Sequence, residues 1–346
     1  MRIGMPLSYS GSFRETADNL VDYERVGLDL VAVAEAYTFD AVSQLGYLAA
    51  RTERVEIASG ILQIYTRTPT LTAMTAAGLD YVSSGRFILG LGASGPQVVE
   101  GFHGVAYDAP LARTREIVEI CRQVWRRERV EHDGPHYQIP LLPPRGSGLG
   151  KPLKLINRPV RANIPIAIAA LGPKNVELAA EIAEGWQPVY FHPGRAAEVW
   201  GDALAAGRSR RDPRLGLLDV MAPVSFAVTG DPDPFLDRVR PTLALYIGGM
   251  GARGKNFYNE LTRRYGYEAE AKLVQDLYLD GRKEAAAAAI PDELVRAVSL
   301  IGPPGYVRDR LAEFAAAGVT TLMATPLAGT HAERVEAIRQ LRELSG

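Results

Sequence analysis

The chain has 346 residues and a formal net charge of −1, with 39 basic and 40 acidic side chains spread along its length. That balance excludes the electrostatic footprint of a nucleic-acid or anionic-membrane binder and leaves a small molecule as the expected partner. Hydrophobic residues at 47% and charged residues at 23% exclude disorder, and a single cysteine, Cys121, excludes an internal disulfide or a cysteine cluster for zinc or iron–sulfur chemistry.

The chain opens on an apolar strand at 2–7, too short before Pro6 to act as a signal segment. Nowhere does a run approach the roughly 20 apolar residues that span a bilayer. With a lone cysteine, this makes the cytoplasm the expected compartment. Next comes an amphipathic helix ending near Val26, then Gly27, then the apolar strand 29–34. A glycine just past a helix supplies a left-handed position, and a short apolar run after it reads as a buried parallel strand. Glu35 follows, where side chains of barrel enzymes reach substrate.

The third strand, 54–60, ends in Ser59-Gly60-Ile61-Leu62-Gln63. A glycine at that point invites a bulge, and Gln63 is expected to carry an amide near the end of the strand. Thr68 with Pro69 starts the next helix as cap and first residue. Arg86 reads as a structural partner for Asp80 or a helix end. The fourth strand, 87–91, runs into Gly90-Leu91-Gly92-Ala93-Ser94-Gly95-Pro96. No helix is expected at the last glycine and no acidic residue stands at the right distance, so a dinucleotide-binding reading fails. The glycines instead let backbone approach a flat ring, with Ser94 as a hydrogen-bond donor.

After strand 164–169, Ala170-Leu171-Gly172 leads into Pro173-Lys174-Asn175. Gly172 as cap and Pro173 as first helical residue leave free backbone N–H groups at a positive helix end, a serviceable phosphate site. The helix–glycine–strand pattern of Gly27 recurs at Gly185, before strand 186–190, and at Gly318, before strand 319–325; strand 219–228 lies between these two. Eight strands separated mostly by helices predict a parallel (β/α)8 barrel, a TIM barrel, occupying 1–346 as one domain. Excursions are expected near 92–112, 128–162 and 240–300, walling in the C-terminal mouth or serving packing and dimer contacts. The five histidines show no metal-binding spacing, and no acid–base constellation stands out, so an external redox cofactor is expected to supply the chemistry and no metal is.

The segments SGILQIYTRTPTLTAMTAAGLDYVSSGRFILGLGASGPQVVEGFHG (59–104), IPIAIAALGPKNVELAAEIAEGW (164–186) and IPDELVRAVSLIGPPGYVRDRLAEFAAAGVTTLMATP (290–326) resemble the luciferase-like monooxygenase superfamily. Within it they resemble the coenzyme F420-dependent oxidoreductases related to methylenetetrahydromethanopterin reductase. The resemblance implies a non-prolyl cis peptide at Gly60-Ile61 backing the deazaflavin ring, a coenzyme phosphate near Ala170, Leu171 and Gly172, and a homodimer. Members that oxidise glucose 6-phosphate or secondary alcohols carry an Asp-His or similar pair after the second strand. Here Glu35-Ala36 stands in its place, which leaves Glu35 as the candidate proton donor or acceptor. The expected activity is hydride transfer between the C5 carbon of F420 and a small organic substrate. A monooxygenase using reduced FMN is the alternative, and a barrel that binds without catalysis is a third.

Overall fold

The computed structural model describes residues 1–8 and 11–346, and its centre is a ring of parallel strands. In chain order these are β1 (Arg2–Pro6), β2 (Leu30–Val33), β3 (Glu56–Ser59), β4 (Phe87–Gly92), β5 (Ile166–Ala169), β6 (Gly185–Gln187), β7 (Asp219–Val228), β8 (Ser299–Gly302) and β9 (Thr321–Pro326). Pairing runs from β1 through β2, β3, β4, β5 and β6 to β7, whose other edge meets β9, and β9 returns to β1. The ring is the expected (β/α)8 barrel, closed by the eight strands read from the sequence.

β8 is an addition. It pairs with the far half of β7, from Ser225 opposite Ser299 to Val228 opposite Gly302, on the edge where β6 holds only Asp219 and Val220. In the sequence it merges with the helical pattern of 240–300, because helix Asp292–Ala297 runs into it with no glycine or proline between.

Alternation along the strands sorts their side chains into shell and lumen. Val31, Ile57, Phe87, Ile166, Trp186 and Leu322 join the core beneath the helices, whereas Leu30, Ala58, Ile88, Ala167, Met221 and Met323 belong to a separate cluster that fills the ring. Below that plug Arg2 reaches both Glu56 and Asp219, and Asp219 accepts from the Thr321 hydroxyl. Above it Pro6 and Thr325 are exposed although they lie on strands, so the ring opens at its C-terminal end.

Two local expectations need correction, and Arg86 takes the second of its two expected roles. Gly27 and Gly318 do take left-handed φ values of 90° and 93° after their helices. Gly185 does not: it is the first residue of β6, and a Cβ there would sit 3.1 Å from that of Ala167. It is small because the lumen is narrow at that level. Arg86 does not meet Asp80, which binds Arg161; it donates to the carbonyls of Ala49, Thr52 and Val55 and so closes the end of helix Ala41–Arg51. Finally, a short helix, Pro96–Val99, does open after Gly95.

The excursions reach the open end only in part, since 155–161 runs back to the other end, where Arg161 donates to the Phe87 carbonyl at the start of β4. In 128–162 a hairpin pairs His132–Asp133 with Gln138–Ile139 and is tied down by Glu116, which accepts from His132 and from the Tyr137 amide. In 240–300 the helices Phe257–Arg264, Glu268–Leu279 and Lys283–Ala288 follow a π-helical turn at Leu245–Gly249. Tyr246 and Tyr258 from this region pack edge-on against Tyr190, just past β6, at 5.4 and 6.4 Å. The Tyr265 hydroxyl donates to the Tyr190 carbonyl at 2.9 Å. Burial among these rings raises the Tyr190 phenol well above its ordinary range. Among the described residues no helix is long and apolar enough to cross a membrane.

Candidate active site at the barrel mouth

The third strand carries the bulge that Gly60 suggested. β3 and β4 are in register at Ile57–Phe87 and Ala58–Ile88, and pairing resumes at Leu62–Leu91 and Gln63–Gly92, so the 58–62 side spends one residue more than its partner. The gap is bridged by Ser59, whose hydroxyl accepts from the Gly90 amide at 2.8 Å and donates to the Gly90 carbonyl at 2.9 Å. Gly90 has no alternative: a Cβ there would lie 1.8 Å from the Ser59 carbonyl oxygen. The Gly60–Ile61 peptide is cis, and the Ile61 side chain lies over Gly92.

The extra residue flips the strand's parity. Leu62 turns into the shell with Leu91, and Gln63 turns inward beside Gly92. Gln63 is 1% exposed; its Nε2 donates to the Ala36 carbonyl at 3.2 Å and lies 3.3 Å from His103 Nε2, while its Oε1 is buried without a partner among the described residues. Ser94, at φ 58°, offers its carbonyl to the Tyr107 hydroxyl at 3.4 Å, and its own hydroxyl makes no bond within the described residues.

Past β5 the backbone of Ala170-Leu171-Gly172 is held from below by two indoles. Trp186 donates to the Ala170 carbonyl at 2.9 Å and Trp200 to the Leu171 carbonyl at 3.0 Å. With those carbonyls drawn into the core, the amides of Leu171, Gly172 and Lys174 are left without a partner among the described residues. Helix Pro173–Ile182 begins as expected, with Gly172 extended at its cap, Pro173 first and no side chain filling the end. Nothing lies within 4 Å of where a Gly172 Cβ would be. Unused amides, a helix dipole and open space make an anion cradle. The two tryptophans that shape it were absent from the sequence reading, because an indole N–H aimed at a loop carbonyl leaves no periodic signal.

Gly60, Ile61, Gln63, Ser94 and the 170–172 loop therefore lie along one arc of the mouth, at the ends of three neighbouring strands. Glu35 stands one strand further round and is already engaged. Its two oxygens take Arg67 in a paired contact at 2.5 and 2.9 Å, and one of them also accepts from the Ala41 amide at 2.9 Å, at the start of helix Ala41–Arg51. The carboxylate lifts the Arg67 guanidinium above its ordinary pKa. Arg67 is the partner that residue-by-residue reading passed over, since the two lie on loops after different strands. Among the described residues no group of histidine, cysteine and acidic side chains is placed to hold a metal ion.

Comparison with known proteins fits this geometry. A family profile described as luciferase-like monooxygenase matches residues 1–321. A Mycobacterium tuberculosis protein, named provisionally as a coenzyme F420-dependent oxidoreductase, is 44% identical over 330 residues, 94% of this chain and 95% of its own. The 5,10-methylenetetrahydromethanopterin reductase of Archaeoglobus fulgidus is 29% identical over 87% of this chain and 86% of its own. Among solved structures, the coenzyme F420-dependent tetrahydromethanopterin reductase of Methanopyrus kandleri superposes with a TM-score of 0.81 over 98% of this chain and 97% of that one, at 21% identity.

Proposed function

This chain belongs to the luciferase-like monooxygenase family, and from that premise we propose that it is an oxidoreductase that binds coenzyme F420 in the barrel mouth. When bound, the deazaflavin supplies hydride chemistry at its C5 carbon, exchanged with a small organic substrate. The observation that carries the reading is the anion cradle at 170–172, where two indoles hold the carbonyls down and leave the amides for a phosphate. The residues fit the rest of the coenzyme as well. The bulge at Gly60-Ile61 gives a platform, and Gly92 keeps the adjoining strand free of a side chain of its own beside it.

In this mechanism the chain positions and the coenzyme reacts. Leu171, Gly172 and Lys174 amides bind the phosphate; Ile61 backs the ring; Ser94 donates from the neighbouring strand. Glu35, with both oxygens committed, positions the loops after β2 and β3 through Arg67 rather than moving a proton. The barrel and its excursions work as one domain, in the cytoplasm, where the buried Cys121 thiol stays reduced.

The same cradle suits FMN, and the family's monooxygenase description keeps a reduced-FMN, oxygen-using enzyme as the second reading. Equilibrium titration of the purified protein with F420 and, separately, with FMN decides between them. Tight F420 binding with weak FMN binding is expected, and the reverse preference would replace the hydride-transfer reading with oxygen chemistry.

The partner surface is proposed to be a second copy of the chain. On helix Pro69–Val82 the side chains of Leu71, Met74 and Val82 are 47%, 53% and 55% exposed and share one uncharged stripe with Gly78, beside which there is open space. Such a stripe is self-complementary about a two-fold axis. Light scattering should give a dimer for the native chain and a monomer for Met74→Asp; a native monomer would remove this helix from any interface.

A further inference from the structure

Gln63 is not free to turn. Its Nε2 donates to the Ala36 carbonyl at 3.2 Å, and the reversed amide would set two acceptor oxygens against each other there. With that orientation fixed, the second N–H of the same nitrogen faces His103 Nε2 at 3.3 Å. An N–H facing a ring nitrogen requires a lone pair on it, so in the neutral imidazole the proton belongs on Nδ1. Nδ1 has no partner among the described residues and is not sealed from solvent.

The ring is well supported in that pose. The His103 amide donates to the Val98 carbonyl at 3.1 Å. Phe102 meets the imidazole edge-on at 5.1 Å, and Tyr37, from the loop after β2, meets Phe102 at 6.3 Å. Tyr37 and Phe102 are each 65% exposed, so the three rings form a lip of the mouth beside the bulge rather than part of the core. Glu35, one residue before the carbonyl that anchors Gln63, is spent on Arg67 and Ala41, whereas the imidazole Nδ1 keeps an uncommitted hydrogen.

We propose that His103 is a ligand-contacting residue of the mouth, and that Gln63 positions it as the Nδ1–H tautomer so that it donates to a carbonyl oxygen of the bound coenzyme ring. The proposal rests on the coenzyme reading given above. It gives a role to a buried glutamine that packing alone would fill with an apolar side chain, because an amide that must find partners at this depth is costly unless its orientation is used.

The test is long-range proton–nitrogen NMR of the full chain labelled with nitrogen-15, recorded where histidines are neutral, with the His103 signals assigned by their loss in His103→Phe. The expected spectrum has a protonated Nδ1 and a bare Nε2, the reverse of the ordinary preference of free imidazole. Gln63→Met should return the ring to the Nε2–H form. A native Nε2–H tautomer would overturn the assignment. Saturation with oxidised F420 should then move the His103 Nδ1 signal and leave that of His331, paired with Asp22 elsewhere, in place. His103→Phe should raise the F420 Kd about tenfold. Unchanged affinity with an unmoved signal would overturn the contact. If the native chain does not bind F420 at all, the coenzyme reading and the contact fall together, while the tautomer stands or falls on the spectrum alone.

Discussion

Gly172→Glu is expected to weaken F420 binding by about a hundredfold or more while the protein keeps its melting temperature. At about 5 Å and an effective dielectric constant of about 20, a new carboxylate and a phosphate charge repel by about 3 kcal/mol, which is a factor of more than about 100 in Kd. Folding should be spared, because nothing lies within 4 Å of the position a Cβ would take and φ is −70°, a value open to any residue. Gly172→Ala is the control, and should bind F420 within about twofold of the native chain. Fluorescence titration of the coenzyme reads all three proteins. Equal affinity for Gly172→Glu would move the phosphate away from this helix end.

The largest expected loss of stability is at Arg67. Its side chain is 15% exposed and that of Glu35 9%, so solvent screens the pair little. Arg67→Met leaves a buried carboxylate with the Ala41 amide as its remaining partner, at a cost of about 3–5 kcal/mol. Glu35→Gln keeps one oxygen that accepts from the Ala41 amide and one Arg67 N–H but turns its NH2 toward the other Arg67 nitrogen, and should cost less, about 1.5–3 kcal/mol. Urea unfolding midpoints separate the two. If Arg67→Met proves as stable as the native chain, the pair does not brace these loops, and Glu35 returns as a candidate for proton transfer.

The barrel was legible because its signals are local and repeated: a helix, a glycine with left-handed backbone, a short apolar strand. Gly27 and Gly318 behave in that way, and Thr68-Pro69 and Gly172-Pro173 start helices as their chemistry requires. Gly185 carried the same letters for a different reason, the width of the lumen, which one-dimensional pattern does not encode. β8 was hidden by its length, four residues at the end of a helical stretch.

The backbone features of the candidate site were legible, and its side-chain contacts were not. A bulge and an open helix end follow from glycine and proline at particular places. The Glu35–Arg67 pair, the indoles of Trp186 and Trp200, and the contact between Gln63 and His103 each join residues from loops or elements that only the closed ring brings together. Their sequence separations carry no period, so residue types alone could not rank Glu35 as a brace or notice His103.

The bulge in the third strand also constrains how this protein can vary. A substitution at Gln63 changes one side chain, but losing one residue between Ala58 and Leu62 would make the two sides equal in length, leave Leu62 opposite Leu91 and Gln63 opposite Gly92, and erase the bulge on which the Gly60-Ile61 platform is built. Descendants of this gene can therefore drift in spelling across the segment far more easily than in word length. Spacing, more than identity, is the heritable mark to seek there.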